Sequence, residues 1–330
     1  MIANCFNRLV FASERRLALP IATYPGLALT GATVRQAVSD SQVQFDAVAA
    51  LHARYRTPVV LSAMDLSAEA EAFGCALHLS DNEIPSVTGR LVTTLEQARA
   101  LPVPQPGDRR TAVYLDTVRR LKKLPSRPLV LGGCIGPFSL ASRLVGVSEA
   151  LEMTLAEPEL MAVVLEKSTT FLAGYARAFQ QAGADGVIMA EPAAGLLSPR
   201  GVAAHSSAYI KSIAAAVCDG EFALILHNCA ARGLHLAAIL ETGLSTFHFG
   251  APMDLPAALE RVPSEVVLCG NLDPASVFCQ AAPTEMRARA SELLSRTAAH
   301  RNCVLSSGCD LPASAPLANL DALYAVVAGA

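Results

Sequence analysis

FALILHNC, residues 222–229, is an apolar run that ends in polar side chains. A strand buried on both faces has this composition, because polar residues on either face would be placed in the core. The run therefore predicts a buried strand, with His227, Asn228 and Cys229 at its carboxyl end.

Other short runs rich in Val, Ile and Leu share this pattern, and most of them stop at Gly, Asp, Asn or Glu. We predict strands over residues 20–26, 58–64, 128–133, 186–191, 222–228, 246–250, 266–271 and 302–308. Between them, apolar residues recur at a spacing near 3.6, which predicts helices. These stretches are 33–55, 148–182 with a break near Pro158, 206–217, 234–242 and 284–299.

Alternating strands and helices imply a parallel sheet. The eight predicted strands favour the α/β class and a closed (β/α)8 barrel over an open doubly wound sheet. The length of 330 residues is a little above the ~250 typical of that barrel. We predict one barrel domain over residues 1–330 with an N-terminal helical extension. The proline-containing stretch 102–123 is interpreted as a linker-like excursion on that domain.

Composition excludes several classes of function. A net charge of -3 argues against nucleic acid or a membrane surface as a general partner. No apolar stretch reaches the ~18–20 residues of a membrane helix, and no signal peptide is recognised at the start, so we expect a cytoplasmic protein. The nine cysteines are odd in number and widely spread, which indicates thiols rather than a disulfide framework.

Barrel enzymes carry their active sites at the carboxyl ends of the strands. The polar residues predicted there are Asp65, Glu191, His227, Asn228, Cys229, Asn271, Asp273 and Cys309. This set contains one imidazole and two thiols, His227, Cys229 and Cys309, and that combination of ligands selects zinc. Three protein ligands leave a fourth position open, as in catalytic zinc sites. The alternative is a satisfied buried histidine beside unrelated thiols.

Two carboxylates are candidate catalytic residues. Glu191 follows a strand and is interpreted either as a fourth ligand or base beside the metal, or as a surface glutamate that caps the next turn. Asp65 is the first residue after its strand and is placed to face a ligand. The acids that follow it, Glu69 and Glu71, suit the first turns of a helix.

Three residues are candidates for contacts with a cofactor or substrate. Gly133 and Gly136 belong to a glycine-rich turn after a strand, which lets a bulky ligand approach the backbone, although it matches no nucleotide-binding motif. Asn271 and Asp273 are predicted to form an Asx-type turn before Pro274, with contact between Asn271 and substrate as the alternative. The remaining histidines, including His248 on a strand, are interpreted as structural.

Several motifs together resemble the uroporphyrinogen decarboxylase superfamily across nearly the whole chain. They are MDLSAEA at 64–70, GPFSLA at 136–141, LSP at 197–199, GNLDP at 270–274 and GCDLP at 308–312. The resemblance implies a (β/α)8 barrel, in agreement with the strand count.

Within this superfamily the chain is more similar to the methylcobamide:coenzyme M methyltransferases than to the decarboxylases. Residues 16–20 read RLALP in place of the Arg-Gln-Ala-Gly-Arg motif of the decarboxylases, and Arg143 stands where they carry a substrate-binding tyrosine. The methyltransferases use a zinc motif His-x-Cys followed far downstream by Cys, which matches His227, Cys229 and Cys309.

The resemblance implies zinc-dependent methyl transfer between a corrinoid protein that carries methylcobamide and a small acceptor. A thiol such as coenzyme M is expected as the acceptor, with tetrahydrofolate as an alternative. Gly133 and Gly136 would then leave space for the corrinoid. A tetrapyrrole decarboxylase and a non-catalytic corrinoid-binding or tetrapyrrole-binding protein are the competing hypotheses. The direction of transfer and a homodimer stay open.

Overall fold

The strands of the computed structural model, which describes residues 4–329, follow the predicted apolar runs closely. They are β1 Val59–Leu61, β2 Ala76–His78, β3 Ser86–Thr88, β4 Leu129–Ile135, β5 Gly186–Ala190, β6 Ala223–Asn228, β7 Thr246–Phe249, β8 Val267–Leu272 and β9 Cys303–Ser307. The short hairpin of β2 and β3 is the part that the apolar pattern did not predict, because its residues are largely exposed.

The α-helices lie mainly between these strands. They are α1 Cys5–Ala12, α2 Leu27–Thr30, α3 Val34–Ser39, α4 Ser41–Tyr55, α5 Ala68–Phe73, α6 Leu95–Ala100, α7 Thr111–Leu121, α8 Pro137–Val145, α9 Val147–Ala156, α10 Pro158–Gln181, α11 Pro199–Val202, α12 Ala208–Val217, α13 Leu236–Leu240, α14 Leu255–Leu259, α15 Pro283–Arg296 and α16 Leu317–Ala328. The predicted helix over 33–55 is divided because the Asp40 side chain accepts from the amides of Gln42 and Val43 and caps a new helix. The predicted break near Pro158 is confirmed.

Among residues 4–329, seven parallel strands form one curled sheet in the order β1–β4–β5–β6–β7–β8–β9. A segment outside the named strands, residues 17–23, lies between the two edges of this sheet. The Leu19 amide donates to the Leu305 carbonyl (2.8 Å), and the Thr23 hydroxyl donates to the Leu61 carbonyl (3.1 Å). The segment thus occupies the eighth place of the barrel, and the predicted α/β barrel class is confirmed.

The strand predicted over 20–26 is wrong. Only Ala18 forms a bridge to β9, and residues Tyr24–Gly26 turn into a 3-10 helix. Pro20 explains the loss of regular pairing, because it has no amide hydrogen to donate to a neighbouring strand.

The barrel interior is filled by every second residue of its strands. Ile225, Val267 and Val304 are among these residues, and Phe6 and Val10 of α1 pack against the same interior cluster. Asn4 and Asn7 at the start of α1 bond to residues 245 and 246, where β7 begins. The N-terminal helix therefore covers the amino end of the barrel and leaves the carboxyl end open. That the chain forms one domain stays a prediction.

The stretch 102–123 is more than the linker that its prolines suggested. It contains α7, whose Tyr114 is buried and donates to Asp65 (2.7 Å) beneath the carboxyl end of the barrel. None of the described helices has the length and apolar character required of a membrane span.

Glu69 of α5 is a fully buried carboxyl inside this fold. One of its oxygens accepts from the Ile135 amide (2.9 Å), and the other has no hydrogen-bond partner within the residues that the structure describes. Burial raises the pKa of Glu69 to about 8, because the charged form loses its hydration. The folded protein therefore holds a proton that the unfolded chain releases near pH 4 to 5.

Glu69→Gln is expected to become progressively more stabilising, relative to the unchanged protein, as the pH rises from about 5 to 8. The raised pKa gives the native glutamate its full stability at low pH, and this is lost as the pH rises toward the folded pKa, whereas glutamine does not titrate. We expect a relative gain of about 2–4 kcal/mol at pH 8 and little at pH 5. Urea unfolding at both pH values measures it. The exposed Glu241→Gln is the control, and an equal effect of Glu69→Gln at both pH values would contradict the prediction.

Candidate metal centre

The side chain of His227 faces the barrel interior because of its position on β6. His227 lies two residues after Ile225, which belongs to the interior cluster, and side chains two apart on a strand share a face. Cys229 follows directly after β6 ends at Asn228. A Cβ at Gly250 would overlap the backbone of Cys229, so the glycine allows the end of β7 to pack against this residue.

Cys309 reaches the same place from β9. Gly308 separates it from the strand, and its amide donates to the Leu272 carbonyl (2.6 Å). A Cβ at Gly308 would come within 2.8 Å of the Ala251 amide nitrogen. Glycine therefore lets the chain turn tightly here and present Cys309 to the barrel mouth.

The ligand atoms of His227, Cys229 and Cys309 all lie within 4.8 Å of one another. The histidine is buried, and the two cysteines are partly buried. A hydrogen bond between the two thiols lowers the pKa of Cys229. The same bond, together with burial, raises the pKa of Cys309 to about 12. The centre therefore places one imidazole and two sulfur atoms close together.

A chain of hydrogen bonds sets the orientation and tautomer of His227. The Ser306 hydroxyl donates to the Leu19 carbonyl, so it accepts from Nε2 of His248 (2.7 Å). Burial, reinforced by His227, holds the pKa of His248 well below its usual range and keeps the ring neutral. With its proton on Nε2, His248 accepts through Nδ1 from Nδ1 of His227 (2.8 Å). This network assigns a lone pair to Nε2 of His227.

A separate observation also indicates that His227, Cys229 and Cys309 suit a zinc ion. Nε2 of His227 is buried and has no hydrogen-bond partner in the described part of the chain, which is costly for a polar atom unless a ligand completes the site. An imidazole nitrogen with two thiolates is a soft set typical of zinc, and metal-bound histidines commonly donate their second ring hydrogen to a neighbouring group. The relay through His248 supplies that second contact.

A cavity of about 260 Å³ opens beside the three ligands. Besides the ligands it is lined by Arg143, Asp310 and the apolar residues Met64, Leu66, Ile84, Pro85, Ala190 and Pro192. Burial lowers the pKa of Arg143. Burial also raises the pKa of Asp310 well above its usual range, with a further contribution from Cys309.

Asp65 does not line this cavity. Its carboxylate accepts from the Ser67 amide (3.0 Å), the Ser67 hydroxyl (2.6 Å) and the Tyr114 hydroxyl (2.7 Å), and it forms an ion pair with Arg110. Arg110 also pairs with Glu71 (2.7 Å). The structure therefore places Asp65 in a satisfied buried cluster, and its catalytic role stays a prediction.

Glu191 is buried, so its interpretation as a surface glutamate is wrong. It caps α8, where its oxygens accept from the amides of Phe138 (2.8 Å) and Ser139 (2.9 Å) and from the Ser206 hydroxyl (3.0 Å). Burial raises its pKa to about 7. Its carboxylate is not grouped with the three metal-ligand candidates. A role as fourth ligand or base stays a prediction.

The three candidate contacts to a cofactor or substrate have internal neighbours instead. A Cβ at Gly133 would approach the Ala63 carbonyl, and one at Gly136 would overlap the carboxylate of Glu191. The Asn271 amide donates to the carbonyls of residues 250 (3.0 Å) and 253 (2.5 Å). None of the three is among the residues that line the cavity, because each is used in packing of the chain itself. Their binding role stays a prediction.

The model of the family described as Uroporphyrinogen decarboxylase (URO-D) matches residues 24–329. The chain belongs to the uroporphyrinogen decarboxylase family. This confirms the resemblance that the sequence motifs indicated.

The relatives that match this chain have two different named activities. Methylcobamide:CoM methyltransferase MtbA of Methanosarcina acetivorans is 26% identical over 303 residues, which cover 91% of this chain and 88% of that protein. Uroporphyrinogen decarboxylase of Aeromonas salmonicida is 28% identical over 258 residues, covering 73% of this chain and 70% of that protein. Among solved structures, a methyltransferase from Methanosarcina mazei has a TM-score of 0.87 at 22% identity and covers 98% of this chain and 97% of its own. The curated relatives support an enzyme, and the relation to MtbA supports a role in methyl transfer. The solved structure supports the fold.

Sequence reasoning missed the residues that surround the three ligands. His248 was interpreted as structural, although it pairs in register with His227 across β6 and β7. The signal was present in the period of two, because β7 places His248 inward. The contact between His248 and Ser306 depends on the curl of the sheet and had no local signal in the sequence.

Proposed function

We propose that this chain is a zinc-dependent methyltransferase that moves a methyl group from methylcobamide, carried by a corrinoid protein, to a small thiol. The observation that carries the proposal is the convergence of His227, Cys229 and Cys309 within 4.8 Å at the open end of the barrel. The relation to proteins named methylcobamide:CoM methyltransferases supports it.

His227, Cys229 and Cys309 would hold the zinc beside the cavity. The ion supplies a Lewis acid that lowers the pKa of a thiol acceptor and keeps it as a thiolate. The thiol proton passes to solvent. The thiolate sulfur attacks the methyl carbon, and the cobalt–carbon bond breaks with its electron pair left on cobalt, which gives a thioether and cob(I)amide.

The size of the cavity supports different places for the two substrates. A volume of about 260 Å³ is below the ~300–1,000 Å³ of sites for drug-sized ligands, so it suits a small acceptor and not a corrin ring. The corrinoid would approach the cavity from outside, near Leu66, Pro85 and the partly exposed Ile84.

The proposal is tested by incubating purified protein with methylcobalamin and either a thiol or tetrahydrofolate, after its zinc content has been measured. Formation of a methyl thioether supports it. Methylation of tetrahydrofolate but of no thiol would contradict the acceptor, and conversion of uroporphyrinogen without metal would favour the decarboxylase. One catalytic domain, a cytoplasmic location and a homodimer stay predictions of the proposal.

Ser306→Ala is expected to weaken zinc binding by roughly 10- to 100-fold, although Ser306 is not a ligand. Without the hydroxyl, nothing fixes the proton of His248 on Nε2, and a proton on its Nδ1 would oppose the one on Nδ1 of His227. Titration of zinc against a chromophoric chelator measures the affinity.

Ser307→Ala is the matched control. Ser307 is equally buried on β9, but its hydroxyl accepts from the Ile21 amide (2.9 Å) and has no part in the histidine chain. We expect it to lose stability without losing zinc affinity. If both variants bind zinc as tightly as the unchanged protein, the relay does not set the tautomer of His227.

A further inference from the structure

Arg143 brings a cation to the cavity that its surroundings do not pair. It lies on α8 and lines the cavity beside the three ligand candidates. No hydrogen bond or ion pair of its guanidinium occurs within residues 4–329. Asp65 acts on it electrostatically but already accepts from Arg110, Tyr114 and Ser67. A bound ligand with an anionic group would pair with this guanidinium.

Asp310 is an acidic residue that lines the same cavity. Both of its carboxylate oxygens are buried and have no hydrogen-bond partner among residues 4–329. Buried polar groups are nearly always bonded, and leaving them unmet is costly. Its neighbour Cys309 faces the metal centre, so a group bonded to Asp310 would lie beside the sulfur ligands. A ligand that donates hydrogen bonds, and above all an ammonium group, would complete this carboxylate.

Arg143 and Asp310 do not satisfy each other. No ion pair joins them among the described residues, although both border one cavity. The cation and the carboxylate therefore form two separate half-sites. An anionic thiol without an amine would pair with Arg143 only. It would leave Asp310 unpaired beside an added negative charge. A neutral thiol would pair with neither Arg143 nor Asp310.

We infer that the methyl acceptor is a small zwitterionic thiol, a thiol-containing α-amino acid, whose ammonium group binds Asp310 and whose carboxylate binds Arg143. This inference rests on the proposed methyl transfer and specifies its acceptor. The cavity of about 260 Å³ is far above the ~10–15 Å³ of such volume that one water molecule needs, which leaves room for an amino acid of this kind. Its sulfur would extend toward Cys229 and Cys309.

A panel of thiols tests the inference with the zinc-loaded protein and methylcobalamin. The probes are L-homocysteine, 4-mercaptobutyrate without the amine, 3-mercaptopropylamine without the carboxylate, and 2-mercaptoethanesulfonate. We expect kcat/KM to be highest for homocysteine and roughly 10- to 100-fold lower for each truncated thiol. Equal or better use of 2-mercaptoethanesulfonate or 4-mercaptobutyrate would overturn the inference while leaving methyl transfer intact. Failure to methylate any thiol would instead contradict the proposed function.

Substitutions assign the two half-sites. In Asp310→Asn, the advantage of homocysteine over 4-mercaptobutyrate should fall to near unity. In Arg143→Gln, its advantage over 3-mercaptopropylamine should fall in the same way. Glu83→Gln, an exposed carboxylate on the β2–β3 hairpin, is the control for general charge and should preserve both ratios. If Asp310→Asn loses zinc or keeps its preference for the amine, the assignment of Asp310 is wrong.

Binding of a product-like ligand gives a readout without turnover. Calorimetry compares L-methionine with 4-(methylthio)butanoate and 3-(methylthio)propylamine in the absence of methylcobalamin. We expect L-methionine to bind roughly 10-fold or more tightly than either partner compound, and Asp310→Asn to remove its advantage over the compound without the amine. Equal affinities in the unchanged protein would overturn the inference.

Discussion

Cys309→Ala is expected to purify without stoichiometric zinc, whereas the unchanged protein is expected to hold about one zinc per chain. Its sulfur is one of three ligand atoms that lie within 4.8 Å of one another. Removal of an outer-shell partner alone costs ~10- to 100-fold in metal affinity, so loss of a direct ligand is expected to cost more. Metal analysis and competition with a chelator measure the loss, and methylcobalamin demethylation should disappear with the metal.

Cys279→Ala is the matched control for this experiment. Cys279 is also a partly buried thiol, but it does not belong to the His227–Cys229–Cys309 group. It is expected to keep its zinc and its activity. Full zinc content in both Cys229→Ala and Cys309→Ala would show that these sulfurs are not the ligands.

Arg110→Met is expected to destabilise the fold by about 3–5 kcal/mol. Arg110 is 10% exposed in its side chain, and its partner Asp65 is 0% exposed. Methionine removes the cation and leaves the carboxylate in a poorly hydrated interior, where an unpaired charge is costly. Urea unfolding at neutral pH measures the free energy of unfolding.

Arg119→Met provides the comparison at the surface. Its ion pair with Asp116 is about half exposed on both sides, and such pairs contribute about 0–1 kcal/mol. The difference between the two variants isolates the effect of burial. If Arg110→Met costs no more than Arg119→Met, Asp65 is not held by the cluster, and its interpretation as a structural carboxylate fails.

Much of the barrel could be predicted from the sequence because buried parallel strands are nearly continuous in apolar residues. The run that ends at His227 became β6, and the run before Cys309 became β9. The period of two along β6 and the common end of parallel strands bring these residues together. The three metal-ligand candidates therefore follow from local patterns once the barrel is assumed.

Other features depended on contacts between distant parts of the chain. Glu191 and Gly136 both occur at polar or glycine-rich strand ends, which resembled a ligand site. In the structure, Gly136 makes room for Glu191 at the start of α8. The eighth place of the barrel is taken by residues 17–23, where Ala18 bridges to Leu305 of β9 and Pro20 prevents regular pairing.

Methyl transfer by zinc-loaded and zinc-stripped protein tests the central claim most directly. Both forms would be incubated with methylcobalamin and homocysteine, and cob(I)alamin and methyl thioether would be quantified together. The account predicts equal amounts of the two products from the zinc-loaded protein, none above background after stripping, and recovery when zinc is restored. Equal rates with and without zinc, or no thioether from fully loaded protein with any thiol of the panel, would contradict it.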